Sequence, residues 1–565
     1  MRTMTGVTPV IVRTFSAREY SKIHEDYTFM SELVHFPHIS ELPDDLRSCI
    51  PLHQREYLIN GELKTWEGDV QEVHSPVHFK SGDSYDNRIG SYPVMGEKES
   101  LEALNAAVRA FDKGKGEWPK MSVAGRIDCV RNFALELKKR RSAIVNLLMW
   151  EIGKNRKDSE AEVDRTVDYI LDTIEAFKEL DRNNSRFTIT QGVIAQVRRA
   201  PLGVALCMGP FNYPLNETYA TLIPALIMGC TVVFKPPKLG VLLHQPTLEA
   251  FRKSFPKGVV NTVYGRGRDV TTPIMRSGLV DILAFIGTSP VADTLKKEHP
   301  KPHRLRCLLG LEAKNPAIIL PDADLSVAVN ECVEGALSYN GQRCTALKII
   351  FVHESVAPAF LELFNKKIAS LKCGMPWDDG VNITPLPEAN KTEYLDSLVQ
   401  DAIAKGAKVI NEGGGRFDRT FFYPAVLYPV NPTMRAYHEE QFGPVIPVRS
   451  FKDISEPLEY IENSSYGQQA SIFGSDSTLL SNLLDTLVNQ VCRVNLNSKC
   501  QRGPDVLPFT GRKDSAEGTL SVSDALRGFS IRTLVAVKET DLNRQIITDI
   551  IKERKSGFLN TDFIL

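Results

Sequence analysis

The chain lacks any CxxC pair and any histidine cluster at ligand spacing, although its 565 residues include ten cysteines. That excludes a zinc ribbon or finger, and no metal is expected. The cysteines (Cys49, Cys129, Cys207, Cys230, Cys307, Cys332, Cys344, Cys373, Cys492 and Cys500) are scattered. This fits reduced thiols in a cytoplasmic protein, most of them acting as small buried hydrophobes. No apolar run approaches the roughly 20 residues that span a bilayer. An excess of charge of either sign is also missing, since 68 Lys and Arg stand against 69 Asp and Glu. No global field therefore favours nucleic acid or a membrane surface, and any anion site has to be local. Acids are absent from the first eighteen residues, which carry Arg2, Arg13 and Arg18. These eighteen are expected to be a disordered N-terminus, with a transit peptide as the alternative, and residues 1–56 as a whole are expected to form an irregular N-terminal extension.

What is present has the balance of a soluble globular enzyme, 42% hydrophobic and 24% charged. The length exceeds one ordinary core and predicts two or three domains. From Glu99 to about Phe177, apolar residues recur three and four apart with charges on the other face, which predicts helices. RFTITQGVIAQVRR (186–199) alternates around Gly192 as an antiparallel strand pair. Short apolar strands then alternate with helices, at 203–208, 231–235, VVNTVYG and 281–287. This is the pattern of βαβ units and of an α/β fold, whose parallel sheet places ligands at the carboxyl ends of its strands. A second α/β region runs from about Asn315 to Ser530, with strand candidates PAIIL, LKIIFV, KVIN, QASIF and CRVNLN. SIRTLVAVKET (530–540) reads as a late strand able to pair with 187–197 or with another chain, and 541–565 as a polar tail.

Three segments carry chemistry. In SYNGQRCTALK (338–348), Cys344 follows Gly341, which permits a tight turn, and Arg343, a cation that favours the attacking thiolate. In MGPFNYPLN (208–216), the Asn212 amide lies just past a strand end, where such a donor can stabilise an oxyanion by about 3 kcal/mol. In YHEEQFGPVIPV (437–448), two carboxylates precede an aromatic and a Gly-Pro turn. Singly, these are ordinarily a buried structural cysteine, a turn asparagine and a solvated loop.

Together and in this order they resemble the aldehyde dehydrogenase superfamily, over roughly Tyr57 to Lys538. Within it the likeness is greatest to the NADP-dependent, non-phosphorylating glyceraldehyde-3-phosphate dehydrogenase branch. The resemblance implies a Rossmann-type cofactor domain (57–186 and 200–313), an α/β catalytic domain (314–527) and a β oligomerisation arm (187–199 and 528–540) supporting a homodimer or homotetramer. Cys344 would be the nucleophile, with Asn212 and the Cys344 amide holding the oxyanion. Lys235 would meet the adenosine ribose, Gly287 would open the helix near the pyrophosphate, and Glu440 and Phe442 would flank the nicotinamide ribose. Relatives that prefer NAD carry Glu where this chain has Lys238. An ammonium there attracts a 2′-phosphate, so NADP is the expected cofactor. The family lacks the GxGxxG fingerprint, as does this chain after its first parallel strand. Arg165, Tyr213, Arg343, Thr345 and Arg502 match the substrate segment. Since guanidinium binds phosphate bidentately, the expected substrate is a small phosphorylated aldehyde, glyceraldehyde 3-phosphate.

One segment departs from the pattern. Where the family has a Glu-Leu-Gly-Gly-Lys base segment, this chain reads LLGLEAKNPAIIL (308–320), with Gly310 at the base position and Glu312 two residues late. In an extended segment residues two apart point the same way, so Glu312 is the expected base. The alternative is a lost base, with an acyl acceptor such as coenzyme A and a carboxylated semialdehyde as substrate. A retained but inactive scaffold is the third possibility.

Overall fold

A computed structural model describes residues 29–30, 33–81 and 84–561. Its architecture is α/β, as expected. Five strands form a parallel sheet in the order Val260–Thr262, Thr231–Lys235, Val204–Met208, Ile282–Ile286, Arg306–Gly310, and Ala516–Glu517 adds an antiparallel edge. The strands are continuous apolar runs (VALCM and TVVFK among them) because both faces are covered. Chain order reverses at Val204–Met208, between Thr231–Lys235 on one side and Ile282–Ile286 on the other. This is the switch point at which such sheets open a crevice.

The second sheet has seven strands in the order Lys408–Val409, Ala425–Tyr428, Val445–Phe451, Leu347–His353, Asn315–Ile319, Gln469–Phe473, Arg493–Leu496, all parallel after the first. Ala425–Tyr428 and Val445–Phe451 are additional to the strands expected, and the latter holds Pro447 in the sheet interior. A proline has no N–H for the ladder and argues against a central strand. The strands Phe187–Thr190, Val193–Pro201 and Ser530–Lys538 form the antiparallel sheet expected of the arm. Ile189, Ile531 and Leu534 are exposed on it.

Both ends of the described chain carry regular structure. Residues 33–55 carry the helix Asp44–Arg47 and the strand Leu52–His53 and bury Val34, Phe36 and Leu46, so this part is no loose extension. The expectation for the first eighteen residues lies outside the described residues. The polar tail forms the helix Asp541–Lys552, after which Asn560 accepts two hydrogen bonds from the buried Arg198 guanidinium, at 2.7 and 2.8 Å. Among the described residues no helix is long and apolar enough to cross a membrane, and no three His, Cys, Asp or Glu side chains group as metal ligands.

Candidate active site

The carboxyl ends of the first sheet face the segment that precedes the central strand Leu347–His353 of the second. A cavity of about 1000 Å³ lies between them, and every expected site residue except Lys235 lines it.

Cys344 lines it, half-buried, at the end of an unusual backbone. Tyr339, Asn340 and Gly341 are successive left-handed residues, with φ of 49°, 55° and 73°. A Cβ at Gly341 would lie 2.7 Å from the Ala336 carbonyl oxygen, so only glycine fits. Left-handed non-glycine residues cost of order 1–3 kcal/mol each and persist where their surroundings over-determine them. Here Asn340 Nδ2 donates to Thr384 O (3.1 Å) and Oγ1 (3.0 Å), Thr384 N donates to Asn340 Oδ1 (3.0 Å), and the Tyr339 hydroxyl donates to Ile152 O (2.9 Å). Burial pushes the Cys344 thiol above its ordinary range, and the nearby Lys348 ammonium pulls it back. Lys348, fully buried, donates to Cys344 O at 3.1 Å and pairs with Glu440. Arg343, expected to favour the thiolate, has a smaller effect. Its Nη2 is engaged by the carbonyls of Glu334 (3.3 Å) and Gly335 (2.8 Å).

Asn212 follows the strand Val204–Met208. Gly209 is required at the turn, since a Cβ there would meet Thr218 Oγ1 at 1.8 Å. Asn212 Nδ2 donates to Gln342 O at 2.8 Å, which sets the amide beside the loop that carries Cys344. The loop is fixed from beneath by residues the motifs did not reveal. Lys154 Nζ donates to Asn212 O at 2.8 Å and pairs with Glu162, both side chains fully buried. Glu162 Oε1 also accepts from Leu215 N (3.0 Å) and Asn216 N (3.2 Å). The ammonium lies 3.6 Å from the Tyr213 ring centroid and 4.6 Å from that of Tyr339, so Tyr213 presents its face to Lys154. Glu162 and Arg165 are three residues apart on the helix Arg156–Asn184, which Asn155 caps by accepting from Asp158 N at 2.7 Å. One helix face thus serves both the loop and the cavity.

Lys235 ends its strand, and burial lowers its ammonium to about 8. Lys238 is exposed in the loop beyond and lines the cavity. Glu151, a buried carboxylate raised to about 7 by burial, accepts from Leu242 N and Leu243 N (3.0 Å each) and tethers the far end of that loop. Gly287 leads into the helix Ser289–Glu298. The donors at this helix N-terminus suit an anion, because a carboxylate already occupies them. Glu312 accepts from Ser289 N at 3.1 and 2.9 Å and from Ser289 Oγ at 2.6 Å. Glu312 therefore shares the cavity with Cys344 but turns its carboxylate to the helix. Gly310 ends the strand Arg306–Gly310 without a side chain. Glu440 accepts from Ala313 N at 3.2 Å, and the Phe442 ring packs edge-on to Phe211 at 5.8 Å.

The arginines converge, but not as free cations. Arg165 holds Asp505 through two hydrogen bonds of 2.7 Å, and buried Arg502 pairs with Glu217 and with Asp505 at 3.1 Å. Asp505 and Glu217 escaped sequence reasoning, although the GPD run beside Arg502 places a carboxylate within a turn of it. Thr345 is buried next to Cys344.

Residues 78–535 match the aldehyde dehydrogenase family. The chain is similar to the NADP-dependent glyceraldehyde-3-phosphate dehydrogenase of Streptococcus equinus, 33% identical over 492 residues that cover 86% of this chain and 98% of that protein. The enzyme of the same name from Arabidopsis thaliana is 31% identical over 494 residues, 84% of this chain and 96% of that protein. Among solved structures, NADP-dependent glyceraldehyde-3-phosphate dehydrogenase from Bacillus halodurans C-125, complexed with NADP, matches with a TM-score of 0.79 at 31% identity, covering 86% of this chain and all of that one.

Proposed function

The chain belongs to the aldehyde dehydrogenase family, and from that premise we propose that it oxidises glyceraldehyde 3-phosphate to 3-phosphoglycerate without phosphorylating it. It is an NADP-dependent oxidoreductase acting on aldehydes. The observation that carries the reading is the placement of the Asn212 amide against the carbonyl of Gln342, two residues before Cys344. The Cys344 thiolate adds to the aldehyde carbon as the carbonyl π pair moves onto oxygen, and the resulting oxyanion is held by Asn212 Nδ2 and the Cys344 amide. NADP, when bound, supplies the hydride acceptor that converts this adduct to a thioester. Lys235 and Lys238 hold its adenosine ribose and 2′-phosphate, the Ser289 end of the helix its pyrophosphate, and Glu440 with Phe442 its nicotinamide ribose. In the last step a water oxygen bonds to the thioester carbon, Glu312 takes the water proton, and the carbon–sulfur bond breaks to return the Cys344 thiolate. Arg165, Arg343 and Arg502, with Tyr213 and Thr345, hold the phosphate end of the substrate. The proposed organisation keeps 57–186 and 200–313 for the nucleotide and 314–527 for the nucleophile, with 187–199 and 528–540 as an arm that pairs copies of the chain.

A second reading rests on Gly310 and on the engagement of Glu312 with Ser289: a chain without a free base would pass its acyl group to coenzyme A. One experiment separates the two, an aldehyde panel with NADP run with and without coenzyme A. Stoichiometric NADPH from glyceraldehyde 3-phosphate with neither phosphate nor coenzyme A added supports hydrolysis. A requirement for coenzyme A removes it. Acid-quenched turnovers should carry the acyl group on the peptide containing Cys344, and an unmodified peptide during product formation refutes the covalent route.

A further inference from the structure

Thr288, the N-cap of the helix Ser289–Glu298, makes no side-chain cap hydrogen bond. The Ser289 donors are satisfied instead by Glu312, which reaches across from the segment after the neighbouring strand Arg306–Gly310 and takes both Ser289 N and Ser289 Oγ; Pro290 has no N–H, and Val291 N donates to Thr288 O at 3.1 Å. A helix of this length, following the strand Ile282–Ile286 beside the switch point of a parallel sheet, is placed to receive the pyrophosphate of a dinucleotide. Two anions cannot share that one N-terminus. The backbone on either side of Glu312 is anchored independently, by Leu311 N on Ser515 O (2.9 Å) and Ala313 N on Glu440 (3.2 Å). The glutamate side chain can therefore exchange partners without moving the chain.

Building on the function proposed above, we propose that Glu312 is an internal competitor for the pyrophosphate subsite, and that NADP binding displaces its carboxylate from Ser289 into the cavity that Cys344 lines. The displacement couples cofactor binding to deployment of the base. A glutamate two residues earlier, at position 310, would end the strand rather than follow it. The chain's departure from the family pattern thus gains a physical consequence.

The cap contact opposes nucleotide binding. A cap of ordinary strength keeps roughly five molecules in six in the capped form, so removing it tightens NADP about sixfold. The test is nucleotide binding without aldehyde, by calorimetry, on the full chain and on Glu312→Ala and Glu312→Gln. The probes are NADP and 2′-AMP, which shares the adenosine 2′-phosphate but has no pyrophosphate. We expect NADP to bind Glu312→Ala several-fold more tightly, Glu312→Gln to fall between, and 2′-AMP to bind all three alike. Unchanged or weaker NADP binding in both variants overturns the proposal. So does equal tightening of 2′-AMP, which would mean a general loss of negative charge. Single-turnover kinetics on Glu312→Gln keep the base assignment separate. Unchanged NADP affinity with slowed deacylation retains the base and removes the exchange, whereas tightened NADP with normal deacylation does the reverse.

Discussion

Lys154→Met tests whether the oxyanion donor is held in place from beneath. Methionine keeps the stem and removes the charge. In the structure the ammonium, fully buried, pairs with Glu162, donates to Asn212 O at 2.8 Å and lies against the rings of Tyr213 and Tyr339. Burial pushes its pKa down, which the Glu162 carboxylate resists. Removing the lysine strands that carboxylate with only the amides of Leu215 and Asn216 as partners, and breaking one side of a buried pair costs about 3–5 kcal/mol. The chain can relieve the strain by shifting the 209–216 loop, which moves Asn212. A displacement near 1 Å costs about 100-fold in rate, so kcat/KM for the aldehyde is expected to fall by about that factor. NADP affinity should hardly change, because Lys235 at the end of its strand and Lys238 in the loop beyond it make none of these contacts. In Lys154→Met/Glu162→Gln the stranded charge is gone and the amide oxygen still accepts from the loop, so activity should return to within about tenfold of the unmodified chain. Steady-state NADPH formation and nucleotide titration are the assays. A single variant within threefold of the unmodified chain, or a double variant no better than the single, would refute the argument.

Other changes probe the remaining contacts. Lys238→Glu replaces attraction of the 2′-phosphate with repulsion. With about 1.5–3 kcal/mol per charged hydrogen bond, the preference for NADP over NAD should drop by at least about tenfold, and an unaltered ratio discards the assignment. Because burial raises the Cys344 thiol, its alkylation by iodoacetamide without nucleotide should accelerate only above the usual thiol range near pH 8.5. Lys348→Met should move the inflection higher still, since it removes the cation and leaves Glu440, and an inflection below that range contradicts the structure. Arg165→Gln leaves Asp505 paired with buried Arg502. It should raise KM for a phosphorylated aldehyde about tenfold or more while sparing unphosphorylated ones, as competing substrates would report.

The parts of the site legible in the sequence are those whose chemistry is local. Cys344 with its glycine turn, Asn212 past a strand end, and Glu440 with Phe442 each sit in a short segment whose backbone and side chains do one job. The parallel strands were legible because burial on both faces leaves continuous apolar runs. What escaped was long-range pairing. Arg165 and Asp505 are 340 positions apart, Arg502 and Glu217 are 285, and Asn212 meets Lys154 across 58. No periodicity records which carboxylate will find which cation. Pro447 concealed a central strand for the opposite reason, a local rule overruled by the sheet around it.

These pairings bear on how an anionic ligand is recognised. A guanidinium as buried as that of Arg502 needs a carboxylate partner, and Glu217 and Asp505 provide it. The helix end at Ser289 is likewise satisfied by Glu312. At both places where a phosphate is expected, one of the chain's own carboxylates already uses the donors, so ligand affinity is a difference between two sets of charged hydrogen bonds. Such a site gains little from an uncharged aldehyde, which displaces nothing. It responds to a phosphate that offers more acceptor oxygens than the carboxylate it replaces, at a geometry the arginine fork can meet twice. On the proposed function, selectivity for a phosphorylated substrate follows from exchange, and weakening an internal partner, for example with Glu217→Gln, should bring phosphorylated and unphosphorylated aldehydes further apart in KM, not closer together.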